Sequence, residues 1–284
     1  MKTLVITGAS SGIGRAAARH MAGQGWRVYA GVRKKADADA LSSDHGNIVP
    51  LMLDVSDSAA LDASVETVSV SLGGATLGGL VNNAGIAQMG PLALQPMAEI
   101  EAHFKVNVIG AIACTQAFAP LLGTDRARSG TPGRIVNITS VGGRIASPFL
   151  GAYTATKHAL ESVTDTLRRE LLIYGIDAIA VGPGSVKTPI WDKAEQKNEG
   201  TPYSESAWSG AIEKFSETLV QGGREGLTPE AIALVIETAL TDPSPKARYA
   251  PVPNKLTNFT IPTRLPKRWL DSIFASRFGM KKPA

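Results

Sequence analysis

Cysteine is nearly absent: Cys114 is the only one in 284 residues. A single cysteine excludes an intramolecular disulfide framework and leaves no cysteine pair for zinc, so no metal site is expected. Its neighbours Ala111, Ile112 and Ala113 mark it as a small core residue. Long hydrophobic runs are missing too, and no apolar stretch reaches the ~20 residues that a membrane-spanning helix needs. No leader is legible, because the first residues already read as a strand and a glycine-rich turn. Repeats, low-complexity tracts and internal linkers are absent. Neither sign of charge dominates, with a net charge of +4 and a pI near 9.2. Nucleic-acid binding calls for a concentrated basic patch interleaved with aromatics, and aromatics make up only 6% of this chain. A soluble, cytoplasmic protein is the expectation. At 44% hydrophobic residues, the chain is long enough to bury one full core.

What is present is alternation. Strand-like runs lie near 3–7, 27–32, 48–53, 79–82, 133–139, 176–182 and 247–250, with helix-like runs near 12–24, 58–72, 96–121, 152–174 and 229–241. This predicts an α/β fold with a doubly wound parallel sheet, covered on both faces and binding ligands at the carboxyl ends of its strands.

Two local patterns carry chemistry. After the first strand-like run comes Gly8-x-x-x-Gly12-x-Gly14, followed by the strong helix former Arg15 to Ala22. Glycines there let the backbone approach a pyrophosphate whose charge sits at a helix N-terminus. Farther on, Tyr153 and Lys157 are four residues apart, one turn apart on one helix face. A lysine ammonium beside a phenol favours the phenolate. Proton exchange near neutrality would need tyrosine's pKa of about 10 to fall by roughly 2–3 units.

In this company the chain resembles the short-chain dehydrogenase/reductase family. Thr7-Gly8-x-x-x-Gly12-x-Gly14 is similar to its cofactor loop, and Asn82-Asn83-Ala84-Gly85 to the motif after its fourth strand. Asn107 stands where the family keeps a helix asparagine, and Ser140 follows the run Arg134 to Thr139. Pro183-Gly184 with Val186 and Thr188 matches the segment that holds the nicotinamide. These motifs, with Tyr153 and Lys157, occur in the family's order over about residues 1–250, and no catalytic position is replaced.

The resemblance implies a Rossmann-type domain over 1–263, including a substrate lid at 187–227, and an oxidoreductase with the catalytic set Asn107, Ser140, Tyr153 and Lys157. Tyr153 would exchange the proton, and Lys157 would favour the tyrosinate and hold the nicotinamide ribose. Ser140 would orient the substrate oxygen, and Asn107 would hold a water that links Lys157 to solvent. Gly8, Ser10, Ser11, Gly12, Ile13, Gly14, Asn83, Ala84, Gly85, Pro183, Gly184, Val186 and Thr188 would line the cofactor. Asp54 would meet the adenine amino group, with Val55 beside it.

Cofactor choice turns on the end of the second strand. An acid there suits the non-phosphorylated cofactor. Here Val32 and then Arg33 occupy the place, and no acid comes before Asp37. An arginine suits a 2′-phosphate, so NADP is expected over NAD.

The segment 187–227 is polar and glycine-rich but carries Ile190, Trp191, Trp208 and Phe215. With Phe149 and Met89, these predict an apolar pocket for hydrophobic ketones or secondary alcohols, in which Ser140, Tyr153, Phe149, Ile190 and Trp191 touch the substrate. Beyond the core, residues 264–284 place Leu265, Trp269, Ile273, Phe274 and Phe278 at helical spacing among Lys267, Arg268, Arg277, Lys281 and Lys282. Such a helix packs on its own protein or a sister subunit, or lies on an anionic membrane. The alternatives are therefore a membrane-surface enzyme for steroid, retinoid or long-chain lipid, and a non-catalytic NADP-binding regulator. Leu160, Val163, Leu167 and Leu171 form a stripe expected to face the sheet, and 106–118 is apolar almost all round. The family pairs these two helices between subunits, which implies a homodimer or homotetramer.

Overall fold

The computed structural model describes residues 1–188, 203 and 205–280. Short β-branched and aliphatic runs form seven strands: β1 Thr3–Ile6, β2 Arg27–Val32, β3 Ile48–Met52, β4 Gly79–Asn82, β5 Arg134–Ile138, β6 Asp177–Val181 and β7 Arg248–Tyr249. Each lies within one residue of its expected limits. They pair in parallel in the order β3-β2-β1-β4-β5-β6-β7. Between β1 and β4 the order reverses, which makes their carboxyl ends the natural ligand crevice.

Side chains alternate across the sheet with period two. Leu4 and Ile6 join Met21, Ile232 and Ile236 in one buried cluster. Val5 joins Val68, Phe118 and Leu122 in the other. The covering helices are α1 Gly12–Gly23, α2 Lys35–Ser42, α3 Ser58–Leu72, α4 Met97–Phe104, α5 Gly110–Ala119, α6 Gly151–Glu170, α7 Ser209–Glu225, α8 Pro229–Thr241 and α9 Lys267–Phe278. Their ends follow capping chemistry. Asp57 accepts the amides of Ala59 and Ala60 to start α3, and Gly73, at φ +56°, ends it.

Four expectations need correction. The helix expected over 96–121 is broken: π-helical turns at Lys105–Ile109 and Pro120–Thr124 flank α5. Contrary to the sequence reading, the run Met97–Thr124 is long and apolar enough to cross a membrane by length and composition. Half of its apolar window is nevertheless buried in this fold. The 187–227 segment, expected to be irregular, contains the regular helix α7, which buries Ile212, Phe215 and Gly223. The stripe on α6 divides: Leu160 is buried and Leu167 and Leu171 pack on the sheet-side cluster, while Val163 lines a groove with Ile112 and Gln116 of α5. The face that α6 buries is instead largely polar, with Thr156, Lys157, Glu161 and Thr164.

Candidate active site

β1 runs into Thr7, whose hydroxyl accepts the backbone N–H groups of Asn83 and Ala84, each at 3.0 Å. The Asn83 amide donates to the carbonyls of Thr7 and Gly8 at 3.0 and 2.9 Å. The loops after β1 and β4 are therefore tied together at the crevice. Gly8 and Gly12 adopt φ of +64° and +54°, the left-handed region that favours glycine. A Cβ on Gly14 would collide with the Gly8 carbonyl and the Asn83 amide. Ser11 occupies the N-cap of α1 without a side-chain capping bond, and the first turn holds no acidic residue. A glycine cradle opening onto a helix N-terminus fits a dinucleotide pyrophosphate.

The rest of the expected cofactor surface gathers around this cradle. Ser10 is half-buried beside it, and Ile13 packs on the core. Thr188 lies over Gly12, where a Cβ would approach its methyl to 3.1 Å. The Pro183 carbonyl accepts from Val141 and Gly184 donates to Pro251, which fixes the end of β6. Val186 bridges Leu227. Val32 is buried and Arg33 exposed at the end of β2. Burial pushes the Asp54 carboxyl up, but Ser56, Arg33 and Lys105 outweigh it and hold it below the usual range. The Val55 side chain packs into the core against Gly110, where a Cβ would come within 2.6 Å.

α6 carries Tyr153 and Lys157 into the same crevice. A Cβ on Gly142 would stand 3.4 Å from Ser140 Oγ and 3.5 Å from the Tyr153 ring, so those two side chains flank one glycine. Ser140 Oγ also accepts the Gly142 N–H at 3.0 Å. Gly85 lies between Asn107 and Lys157, at 3.3 Å from Asn107 Oδ1 and 3.7 Å from Lys157 Nζ by the same measure. The structure thus brings all four expected catalytic residues together.

Asn107 ties two elements of the site together. Its Oδ1 accepts from Ile86 N at 2.8 Å, and its Nδ2 donates to Ile86 O and to Thr156 Oγ1 at 2.9 and 3.0 Å. The side chain clamps the β4 loop onto α6.

Ionisation runs against expectation. Burial raises the Tyr153 phenol above its usual value, and the neighbouring Ser140 hydroxyl only partly offsets this. Lys157 Nζ lies 5.7 Å from the Tyr153 ring centre and donates to the Ile138 carbonyl at 2.8 Å. Burial drives Lys157 down to about 8, with Glu161 acting in the opposite direction. At Tyr153 desolvation therefore wins over the Ser140 hydrogen bond. Near neutrality the site holds a protonated phenol beside a lysine that is still largely charged.

Beside Tyr153 lies a third apolar cluster of Met89, Phe149, Leu150, Tyr203, Ile212, Phe215 and Phe278, with Phe274, Leu219 and Met280 packed against it. Phe215 meets Phe149 and Phe278 edge-to-face at 5.7 and 5.2 Å. Phe149 holds a left-handed backbone at φ +60°, strain of the kind that collects at functional sites. Trp208, expected in the pocket, is instead exposed at the start of α7. Ile190 and Trp191 lie outside the described residues, as do Lys281 and Lys282. The C-terminal stripe divides as well: Phe278 is buried, whereas Trp269 and Ile273 point outward, 65% and 50% exposed.

Sequence reasoning missed Thr156, Tyr203, Glu161 and Arg248. Only Glu161 had a usable signal, since it follows Lys157 by one helical turn. Among the described residues, no group of three or more His, Cys, Asp or Glu is placed to hold a metal.

Residues 2–199, more than half of the chain, match the short chain dehydrogenase family. The chain is a short-chain dehydrogenase/reductase. An NADPH-dependent 3-dehydrocapnine reductase from Ornithobacterium rhinotracheale is 36% identical over 96% of both chains. The mitochondrial D-beta-hydroxybutyrate dehydrogenase of Mus musculus is 30% identical over 88% of this chain and 77% of its own. A short-chain dehydrogenase/reductase from Burkholderia phymatum, solved with NAD, superposes with a TM-score of 0.77 at 27% identity, covering 95% of this chain and 94% of its own. This short-chain dehydrogenase/reductase is therefore a hydride-transfer oxidoreductase of the CH–OH/C=O class that binds a nicotinamide dinucleotide.

Proposed function

We propose that this enzyme reduces bulky hydrophobic ketones with NADPH, and reverses the reaction on the corresponding secondary alcohols. The observation that carries the reading is the Tyr153 phenol, which flanks Gly142 together with Ser140 and packs against the aromatic cluster of Phe149, Phe215 and Phe278. The dinucleotide supplies a hydride that adds to the carbonyl carbon. Tyr153 gives its proton to the carbonyl oxygen, so C=O becomes CH–OH. Ser140 hydrogen-bonds that oxygen as negative charge develops on it. Lys157 lends positive charge beside the phenol and holds ribose hydroxyls. Gly8, Ser10, Ser11, Gly12, Ile13 and Gly14 would cradle the pyrophosphate, Asp54 would take the adenine edge, and the backbones of Asn83 to Gly85 and Pro183 to Thr188 would line the remainder. Homo-oligomers would form through the groove between α5 and α6 that Ile112, Val163 and Leu167 line.

NADP is favoured because Arg33, rather than an acid, follows β2, in keeping with the NADPH dependence named for one relative. Arg33→Asp is expected to weaken NADPH by about 10- to 100-fold and NADH far less, since a charge-assisted bond is worth roughly 1.5–3 kcal/mol. Fluorescence titration with both cofactors checks this, and a wild-type preference for NADH would refute it. The activity itself is tested by cofactor consumption over aliphatic, aryl, steroid and β-keto carbonyl compounds. Small charged ketones outperforming all bulky ones would overturn the substrate reading.

The outward Trp269 and Ile273, one turn apart on α9 and flanked by Lys267, Arg268 and Arg277, favour a second reading in which the enzyme works at an anionic membrane surface. Co-sedimentation with phosphatidylglycerol vesicles, lost in Trp269→Ser, is the expected result there. A protein that stays in the supernatant at low salt would dispose of it.

A further inference from the structure

Behind the catalytic residues lies an ionic cluster with no assigned role. Glu161 stands one turn beyond Lys157 on the buried face of α6, and its side chain is only 8% exposed. Its carboxylate accepts the Thr139 hydroxyl at 2.6 Å and Arg248 Nε at 3.0 Å on each oxygen. Arg144 approaches it to 3.2 Å from the loop after β5. Arg248 belongs to the edge strand β7 and reaches across β6, where a Cβ on Gly182 would collide with its guanidinium. It also donates to the Ser140 carbonyl at 3.3 Å and lies 4.9 Å over the Phe259 ring. One carboxylate thus stands among three cations, Arg144, Arg248 and Lys157. An ion pair this deep is costly to desolvate and is weak ground for a purely stabilising role.

We propose that Glu161 and Arg248 are positioning residues: the buried carboxylate keeps Lys157 charged, and the arginine meters that carboxylate while pinning Ser140 at the end of β5. The inference rests on the assignment of Tyr153 and Lys157 to proton transfer. Glu161 is the carboxylate one helical turn from Lys157 on the same buried face and raises its ionisation, and Arg248 competes for that carboxylate. Neutralising each partner should therefore move the Lys157 ionisation in opposite directions. Removing Glu161 leaves Lys157 facing cations only. Removing Arg248 directs more of the carboxylate's field toward Lys157, while Arg144 and Thr139 keep the carboxylate ionised.

The test is the pH dependence of kcat for ketone reduction in the full-length wild type, Glu161→Gln, Arg248→Met and Arg248→Lys, each first checked for fold by circular dichroism. Glu161→Gln is expected to move the alkaline limb down by about one pH unit. Arg248→Met should move it up, and Arg248→Lys should return it toward wild type. Lower rates with the limb unmoved would mean a merely structural cluster and would overturn the inference. If Glu161→Gln does not fold, the limb in Arg248→Met against Arg248→Lys decides on its own. The two failures are distinguishable: activity in Tyr153→Phe defeats the underlying assignment, whereas an inactive Tyr153→Phe with unmoved limbs defeats only this proposal.

Discussion

Tyr153→Phe is expected to lower kcat for ketone reduction by about 10²- to 10⁴-fold, the usual contribution of a positioned general acid. NADPH affinity should stay within about twofold, because the phenyl ring still fills its place beside the aromatic cluster. The expectation follows from position: the phenol stands beside Ser140 and the aromatic cluster, and like any tyrosine at or above its ordinary pKa of about 10 it carries its proton across the physiological range. Steady-state rates beside fluorescence titration of NADPH measure the two effects separately. A variant with full activity would remove Tyr153 from the mechanism.

Lys157→Met should combine loss of activity with a gain in stability. Lys157 sits at about 8 in the folded protein, against the usual 10.5. Below pH 8 both the folded and unfolded chains carry the charge, and the fold bears the full cost of burying it. Between pH 8 and 10.5 the unfolded chain binds more protons, so wild-type stability rises with pH. At about 1.4 kcal/mol per pH unit the cost is at most about 3.5 kcal/mol. Losing the bond to the Ile138 carbonyl returns about 1 kcal/mol of it. Lys157→Met should therefore be more stable than wild type by on the order of 1–3 kcal/mol at pH 7. The gap should narrow toward pH 9.5, before Tyr153 begins to ionise. Urea denaturation at pH 7, 8.5 and 9.5 checks both size and trend. A destabilised variant with no pH trend would mean that Lys157 is not desolvated in this way.

The glycine cradle and the Tyr153–Lys157 pair are legible in the sequence because local geometry fixes their residue types. A left-handed backbone favours glycine at positions 8 and 12, and helical period alone puts Tyr153 and Lys157 on one face. The strands are equally legible, since burial on both sides of a parallel sheet demands continuous apolar runs. Helix α2 escapes because it buries only Leu41. Helix α7 escapes because glycines and polar residues mask the spacing of Ile212, Phe215 and Leu219. The sense of the Tyr153 shift is not legible at all: it depends on whether burial or the lysine charge prevails, and burial is set by residues distant in sequence such as Phe215 and Phe278. The same holds for Asn107, whose amide is claimed by Ile86 and Thr156, and for Arg248, which reaches Glu161 from 87 residues away.

The most direct test of the central claim is hydride tracing. Wild-type enzyme is incubated with NADPH deuterated at both C4 positions and a bulky aryl or β-keto ketone, and the product is analysed by mass spectrometry. The predicted result is a secondary alcohol carrying one deuterium on its carbinol carbon, formed by wild type and about 10²- to 10⁴-fold more slowly by Tyr153→Phe. Failure to form any deuterated alcohol from bulky ketones, with NADPH bound but unconsumed, would contradict it.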